Sequence, residues 1–368
     1  MYEILNPQHS GRVIALWSPV SRQGAVSTTA ALLASYMGKK VDDGRVLIIS
    51  TDLTRGPDVS YYMTTEKMTN GLAEVIELSI SDNLTSVDDI KNNTFSLTDN
   101  IDILPCSRIG SNVVNFLSRE LSNILKVARR GYKYIVIDTV CGNYDIASKT
   151  ALNSCDALIV CMPQDKYIFE SWIRKVDHIY LPLVESKPTV MLSSMHFEYA
   201  DMRYADMSKE LKGTELFYLS LNDAVHKANS ERNIPDLIAA NMGSKRHKDD
   251  VINELEAIYN KLVEYIEEII DEEIENENEI ADEAKQETLK YLVVHNNDLF
   301  SSLYDDEVPD TIDEDASSEL EYNYEDLMNP NRGNEYDMDE DIDMMFDRAM
   351  GMLQLDAEAD IYGSDKKS

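Results

Sequence analysis

The sequence predicts an α/β fold, with a doubly wound, mostly parallel sheet of seven or eight strands and a helical, then disordered acidic C-terminal extension. Two observations support this prediction. Short β-branched apolar runs alternate with helical periodicity over the first two thirds of the chain. Of the 68 acidic residues, 39 lie after His247, together with only 8 of the 34 basic residues. The first part therefore has an ordinary globular composition, and the last part is an acidic appendage.

Seven runs are predicted to be strands, because most are apolar at consecutive positions, as in strands covered on both faces. They are Val13–Trp17, Val46–Ser50, Ile101–Leu104, Tyr134–Asp138, Ala157–Cys161, Thr189–Ser193 and Leu216–Leu219. Helical periodicity between them predicts helices such as Thr28–Met37, Val113–Ala128 and Phe169–Ile179. Strands and helices in this alternation form a parallel sheet with right-handed crossovers.

The C-terminal part divides into three predicted segments. Apolar residues at spacings of three and four after Asp249 predict a long helix whose first half closes a domain spanning residues 1–270. An acidic helical extension, 271–295, leads into an acidic tail, 296–368, which is predicted to be mostly disordered because it has little to bury. Within the tail, 341–355 has apolar residues at helical spacing, which is typical of a solvated helix or of one that docks in a protein groove.

Composition excludes several classes of function. The acidic tail repels phosphate backbones and anionic lipid, so any DNA contact depends on the small basic clusters Arg129–Arg130 and Lys245–Lys248, which otherwise are solvated surface charge. No apolar run reaches the roughly 18 residues of a membrane span, and no signal-peptide pattern opens the chain. Four cysteines without paired spacing predict a reduced, cytoplasmic protein.

The turn after the first strand carries the candidate chemistry. A strand, a glycine-containing loop, hydroxyl residues and a helix follow one another across Ser18–Ala34, as in a phosphate-binding loop. In such loops backbone N–H groups face the phosphates and a hydroxyl at the helix start ligates Mg²⁺. The pattern G-x-x-x-x-G-K-[ST] fails at two positions. However, Asp52 and Asp138 end two later strands, at the edge where a parallel sheet places its ligands.

Together these segments resemble the ParA/MinD branch of P-loop ATPases, whose deviant loop reads GKGGVGKTT. The resemblance covers about Arg12 to Ile270, and Leu216–Ala240 is similar to the family's adenine-side and closing region. It implies ATP and Mg²⁺ as cofactors and a homodimer. If the chain is active, it implies a slow hydrolysis of ATP to ADP and phosphate.

The resemblance also implies a role for each residue of the turn. Ser21 takes the position of the leading glycine, and Arg22 that of the signature lysine, which reaches the partner's nucleotide across the dimer. Val26 replaces the last glycine, and Ser27 replaces the lysine that neutralises the β- and γ-phosphates. The residues implied to bind the nucleotide are Ser21, Gln23, Gly24, Ala25, Val26, Ser27, Thr28 and Thr29.

Metal and catalytic roles follow from the same resemblance. Thr28 and Asp138 are implied to hold Mg²⁺, Asp138 through water. Asp52 matches the carboxylate that orients the attacking water, and Arg22 retains a cation for catalysis. Loss of the lysine at position 27 removes one close charged contact, which costs on the order of 2–5 kcal/mol.

Three functions remain open on the sequence. The first is a ParA/MinD-like dimerisation switch, controlled by nucleotide, that segregates or positions a large cargo with weak or absent hydrolysis. The second is a pseudo-ATPase scaffold resembling TadZ-type proteins, which localise secretion or pilus machinery. The third is an interaction protein whose acidic tail helix binds a protein partner. An α/β domain that binds no nucleotide also stays open. DNA binding is possible but unsupported, and direct membrane insertion is not expected.

Overall fold

The structure, a computed structural model, describes residues 10–21, 23–51, 58–106, 117–142, 146–174, 184–200, 202–211, 214–243 and 250–276. The chain divides into two units, Met1–Thr288 and Leu289–Ser368, and every described residue belongs to the first. The tail predictions, including the helix at 341–355, lie outside the described residues and stay predictions.

Eight strands form one sheet. They are β1 (Arg12–Trp17), β2 (Val46–Ser50), β3 (Phe95–Thr98), β4 (Ile101–Leu104), β5 (Tyr134–Asp138), β6 (Ala157–Met162), β7 (Thr189–His196) and β8 (Leu216–Ser220). Their order is β3-β4-β2-β5-β1-β6-β7-β8, and every neighbouring pair is parallel except β3 with β4. The predicted sheet is confirmed. The sequence does not predict β3, because this strand is only half-buried and has no apolar run.

Helices cover both faces of the sheet. In chain order they are α1 (Val26–Lys40), α2 (Leu72–Ile80), α3 (Val87–Lys91), α4 (Leu117–Ala128), α5 (Ile146–Ser154), α6 (Lys166–Ile173), α7 (Tyr204–Glu210), α8 (Asp223–Glu231), α9 (Ile234–Gly243) and α10 (residues 250–276). One core contains residues of α2 to α7. The other contains α1, α8, α9, α10 and a short 3₁₀ helix, Val59–Tyr62. The doubly wound architecture is therefore confirmed.

Helix α6 differs from its predicted bounds of Phe169–Ile179. It begins earlier, at Lys166, because the side chain of Asp165 accepts a hydrogen bond from the backbone N–H of Ile168 at 2.9 Å and caps the helix. It ends at Ile173. Apolar periodicity alone misses such an end, because the cap is a polar residue outside the apolar stripe.

Helix α10 is the predicted last helix of the domain. Its buried stripe, which includes Val251, Leu255, Ile258 and Leu262, packs into the same core as α1. The helix continues past the predicted boundary at residue 270, into the acidic segment. There Glu273 accepts two hydrogen bonds from the guanidinium of Arg12, at 3.1 and 2.7 Å. The start of the acidic extension thus helps to hold the first strand.

Replacing Glu273 with alanine is expected to lower the free energy of unfolding by about 1–3 kcal/mol, because the guanidinium of Arg12 loses a bidentate partner in a largely dry position. Arg12 is only 3% exposed. Urea unfolding followed by circular dichroism measures the effect. Glu272→Ala, an exposed neighbour on the same helix, is the matched control and should change stability by less than about 0.5 kcal/mol. Equal losses of stability in the two variants would contradict the stabilising role of the ion pair between Arg12 and Glu273.

Arg129 belongs to Arg129–Arg130, one of the two basic clusters that the sequence leaves available for DNA. Its side chain is hydrogen-bonded within the fold. Its guanidinium donates to Asp156 at 2.6 and 2.9 Å, to the carbonyl of Gly11 at 2.8 Å and to that of Ser154 at 3.0 Å. Asp156 in turn accepts from the backbone N–H of Val13. Arg129 therefore joins α4, β1 and the segment before β6, and is not a solvated surface charge.

Candidate functional site

The turn between β1 and α1 presents an uncapped helix N-terminus. Ala25, which precedes the first helical residue, has φ 49° and ψ 31°, in the left-handed region that non-glycine residues rarely occupy. No side chain caps the helix and its first turn contains no acidic residue. Within the described residues, the first N–H groups of α1 therefore have no side-chain acceptor, although the carboxylate of Asp138 brings a negative charge to this positive helix end through its contact with Oγ of Ser27.

Gly24 is required by close packing beneath this turn. A Cβ atom at this position would lie 2.4 Å from Oγ of Ser18 and 3.0 Å from the carbonyl oxygen of Cys161. The turn therefore lies directly against the ends of β1 and β6. Glycine at this position therefore lets the turn pack on the ends of these strands.

Asp138, at the end of β5, is 3% exposed. Its Oδ1 accepts a hydrogen bond from Oγ of Ser27 at 3.0 Å, and its Oδ2 accepts one from Oγ of Ser50 at 3.2 Å. Because β5 lies between β1 and β2 in the sheet, the ends of three strands meet at this carboxylate. The hydroxyl next to Asp138 thus belongs to Ser27, one position before the predicted metal ligand Thr28.

Thr28 faces a different neighbour. Its Oγ1 accepts a hydrogen bond from Nδ2 of Asn229 on α8 at 3.3 Å. Oδ1 of Asn229 is buried and has no hydrogen-bond partner. Helix α8 lies within Leu216–Ala240, the segment predicted to form the adenine side, and it is N-capped by the side chain of Asn222. The first turn of α1 is thereby joined to that segment.

The 3₁₀ helix Val59–Tyr62 lies beside the site. Asp58 caps it through the N–H of Ser60 and also accepts a hydrogen bond from the N–H of Cys106 at 2.6 Å. Burial, and secondarily the negative charge of Asp138, raise the pKa of the Tyr62 phenol. Tyr62 is therefore protonated at neutral pH and is a neutral neighbour of the carboxylate.

The structure brings together part of the predicted site. Gly24, Val26, Thr28 and Thr29 are buried, Ala25 and Ser27 are half-buried, and Ser21 and Gln23 are exposed. Arg22 and Asp52 lie outside the described residues, so their predicted roles stay predictions. Two contributors were missed by sequence reasoning, Ser50 and Asn229. Ser50 directly precedes Thr51 and Asp52 at a strand end, which is a usable signal, whereas nothing in the sequence relates Asn229 to Thr28.

The geometry of the turn suits a polyphosphate, but its described residues provide no positive charge to neutralise one. The uncapped helix start, the close approach at Gly24 and the hydroxyl–carboxylate pair Ser27–Asp138 match what a nucleotide and Mg²⁺ require. In the described part of the turn, 18–21 and 23–29, no residue is lysine or arginine. Arg22 is the cation of this turn in the sequence.

A sheet of this order, covered by helices on both faces and with a glycine-containing turn between its first strand and first helix, defines a doubly wound α/β fold. No protein-family model and no curated protein sequence matches this chain. Solved structures do match. A ParA family ATPase from Chlorobium tepidum TLS has a TM-score of 0.53 at 16% identity, covering 66% of this chain and 96% of that one.

Two further solved structures cover the same part of the chain. The septum site-determining protein MinD complexed with Mg-ADP from Pyrococcus horikoshii OT3 has a TM-score of 0.54 at 16% identity, covering 69% of this chain and 97% of that one. A variant of Cyanothece McdA in complex with ATP has a TM-score of 0.52 at 16% identity, with coverages of 69% and 97%. The predicted resemblance to ParA/MinD-type ATPases is confirmed at the level of the fold.

Within the described ranges, no helix has the length and apolar character needed to cross a membrane.

Proposed function

We propose that this protein is a ParA/MinD-like switch that dimerises on binding ATP and positions or segregates a large cargo, with weak or absent hydrolysis. The observation that carries the proposal is the uncapped start of α1, placed beside the Ser27–Asp138 pair at the ends of three neighbouring strands. The fold supports it, since structural neighbours include a complex with ATP and one with Mg-ADP.

Each residue has a proposed task. Backbone N–H groups from Gln23 to Thr28 would bind the phosphates, whereas the N–H of Thr29 donates to the carbonyl of Ala25 at 2.9 Å. Mg²⁺, which neutralises phosphate charge when bound, would be held by Asp138 and a hydroxyl of the first turn. The resemblance assigns that hydroxyl to Thr28, whereas the 3.0 Å contact with Asp138 favours Ser27. Arg22 would reach the partner's nucleotide, and Asp52 would orient water if hydrolysis occurs.

A scaffold that has lost nucleotide binding is the second candidate, and one observation favours it. No cationic side chain accompanies the described part of the turn, and branched Val26, 4% exposed, occupies a position that the family gives to glycine. Loss of the lysine contact would weaken binding by ~30- to 4000-fold, since each 1.4 kcal/mol is tenfold. A TadZ-like scaffold would keep the fold and need no ATP.

Light scattering of the full chain, with and without Mg-ATP, tests the proposal. We expect the mass to double in Mg-ATP and to stay that of a monomer in Mg-ADP. Arg22→Ala should bind ATP with unchanged affinity in calorimetry and lose the dimer, because its charge acts across the interface. Arg119→Ala, a largely exposed arginine on α4, is the matched control. A monomer in saturating Mg-ATP, or no heat of binding at all, would support the scaffold instead.

A further inference from the structure

The outer edge of β8 forms a groove to which the turn between β1 and α1 contributes no lining residue among those described. Strand β8 is the last of the eight in the sheet order, and among the described strands it pairs only with β7. The groove lies between this edge, Tyr204 on α7 and the first turns of α10, and has a volume of about 550 Å³. Both a sheet edge and aromatic walls are therefore open to a partner.

The backbone of β8 is open at one residue of this edge. The carbonyl of Leu216 accepts from the hydroxyl of Tyr204, and the N–H of Ser220 donates to Glu254 at 2.9 Å, so both residues turn their polar groups outward. Backbone groups alternate in direction along a strand. Tyr218, midway between them, therefore also points its N–H and C=O outward, and no partner for them lies in the described part of the chain. An added strand would find one complete backbone pair here.

The walls of the groove combine aromatic rings with negative charge. Tyr218 is 40% exposed, and its ring lies 5.4 Å from that of Tyr204 in an edge contact. Glu215 and Asp250 line the rim, and Glu254, 9% exposed, lies at the floor with its carboxylate fixed by Ser220. The described lining residues include no lysine, arginine or histidine. Aromatic faces and carboxylates together bind cationic side chains.

We infer that this groove docks an extended, basic segment of a partner protein, which adds to the edge at Tyr218 and places lysine or arginine side chains among Glu215, Asp250 and Glu254. A second copy of the chain is disfavoured, because the same carboxylates would face one another. The acidic tail is disfavoured for the same reason. An extended peptide supplies both the backbone pair and alternating side chains that such an edge recognises.

Fluorescence anisotropy of the full chain with a labelled heptapeptide, Thr-Lys-Val-Arg-Val-Lys-Thr, tests the inference. We expect saturable binding, no binding of the counterpart with glutamate at the three basic positions, and equal affinity with and without Mg-ATP. Glu215→Lys combined with Asp250→Lys should weaken binding about tenfold, as two rim charges are reversed. Asn253→Arg, which fills the same groove with a cation, should weaken it as well.

The control reverses two exposed acids remote from β8, Glu66→Lys with Glu77→Lys, and should leave the affinity unchanged. Absence of binding, or an equal loss in the control, would overturn the inference. Binding that appears only after Lys245, Arg246 and Lys248 are changed to serine would also overturn it, because the groove would then be filled by the chain itself. Unfolding temperatures of all variants establish that they are folded. Failure of this experiment leaves the ATP-dependent dimer untouched, since the groove and the turn are separate.

Discussion

Replacing Asp102 with alanine is expected to lower the free energy of unfolding by about 3 kcal/mol. Asp102 lies in β4 and is 2% exposed. It accepts hydrogen bonds from Nε of Arg45 at 2.8 Å, from the hydroxyl of Tyr132 at 3.1 Å and from Oγ of Ser96 at 2.6 Å. Without the carboxylate, the buried hydroxyl of Tyr132 loses its charged acceptor and keeps only its contact with Thr94, while the partly exposed Arg45 can return to water.

Urea unfolding of Asp102→Ala, followed by circular dichroism, measures this loss. Asp99→Ala is the matched control, because Asp99 is an exposed carboxylate in the preceding turn, and it should change stability by less than about 0.5 kcal/mol. If Asp102→Ala lies within that same margin of the wild type, the carboxylate does not organise the edge formed by β3 and β4.

Exchanging Asp138 for asparagine is expected to remove the Mg²⁺-dependent part of ATP affinity, a loss of ~30- to 4000-fold for one close charged contact. Asparagine keeps the shape of the side chain. Its oxygen can accept from one of the two serines and its NH2 group can donate to the hydroxyl oxygen of the other, so the unfolding midpoint should change little. Calorimetric titration of ATP, with Mg²⁺ or with EDTA, measures the ATP affinity with and without the metal. An Asp138→Asn variant with wild-type Mg²⁺ dependence would show that this carboxylate holds no metal.

The same titration separates the two candidate hydroxyls. We expect Ser27→Ala to weaken Mg-ATP binding more than Thr28→Ala, because Oγ of Ser27 is the one that contacts Asp138. The larger loss in Thr28→Ala would support the assignment implied by the sequence resemblance. Ala25→Gly serves as a control, because glycine adopts the left-handed conformation of this position without strain.

Strands buried on both faces were predictable because each is a continuous apolar run bounded by turn residues. Even so, β3 escaped prediction. Its residues, FSLT, are half-exposed at the edge of the sheet, and the strand exists because it pairs with β4. Similarly, no local signal relates Glu273 to Arg12, 261 positions away in the sequence. Contacts of this kind depend on the packing of α10 across the sheet.

The site shows the same division. Asp138 was predictable because it ends an apolar strand, and the turn because it joins a strand to a helix with glycine and hydroxyl residues. The sequence did not predict which hydroxyl contacts the carboxylate of Asp138, because alignment to a loop pattern gives no side-chain direction for Ser27 or Thr28. The left-handed conformation of Ala25 sets their directions.

By itself, the sequence determined the alternation of strands and helices, the position of the glycine-containing turn and the separation of an acidic C-terminal part, because hydrophobic periodicity and charge are local properties of the chain. The tertiary structure alone decided that Ser50 and Asn229 lie beside this turn, and that Asp250 and Glu254 of α10 lie beside Tyr218 at the edge of β8. The members of each group come from separate parts of the sequence, and the order of the strands together with the packing of the helices brings them together.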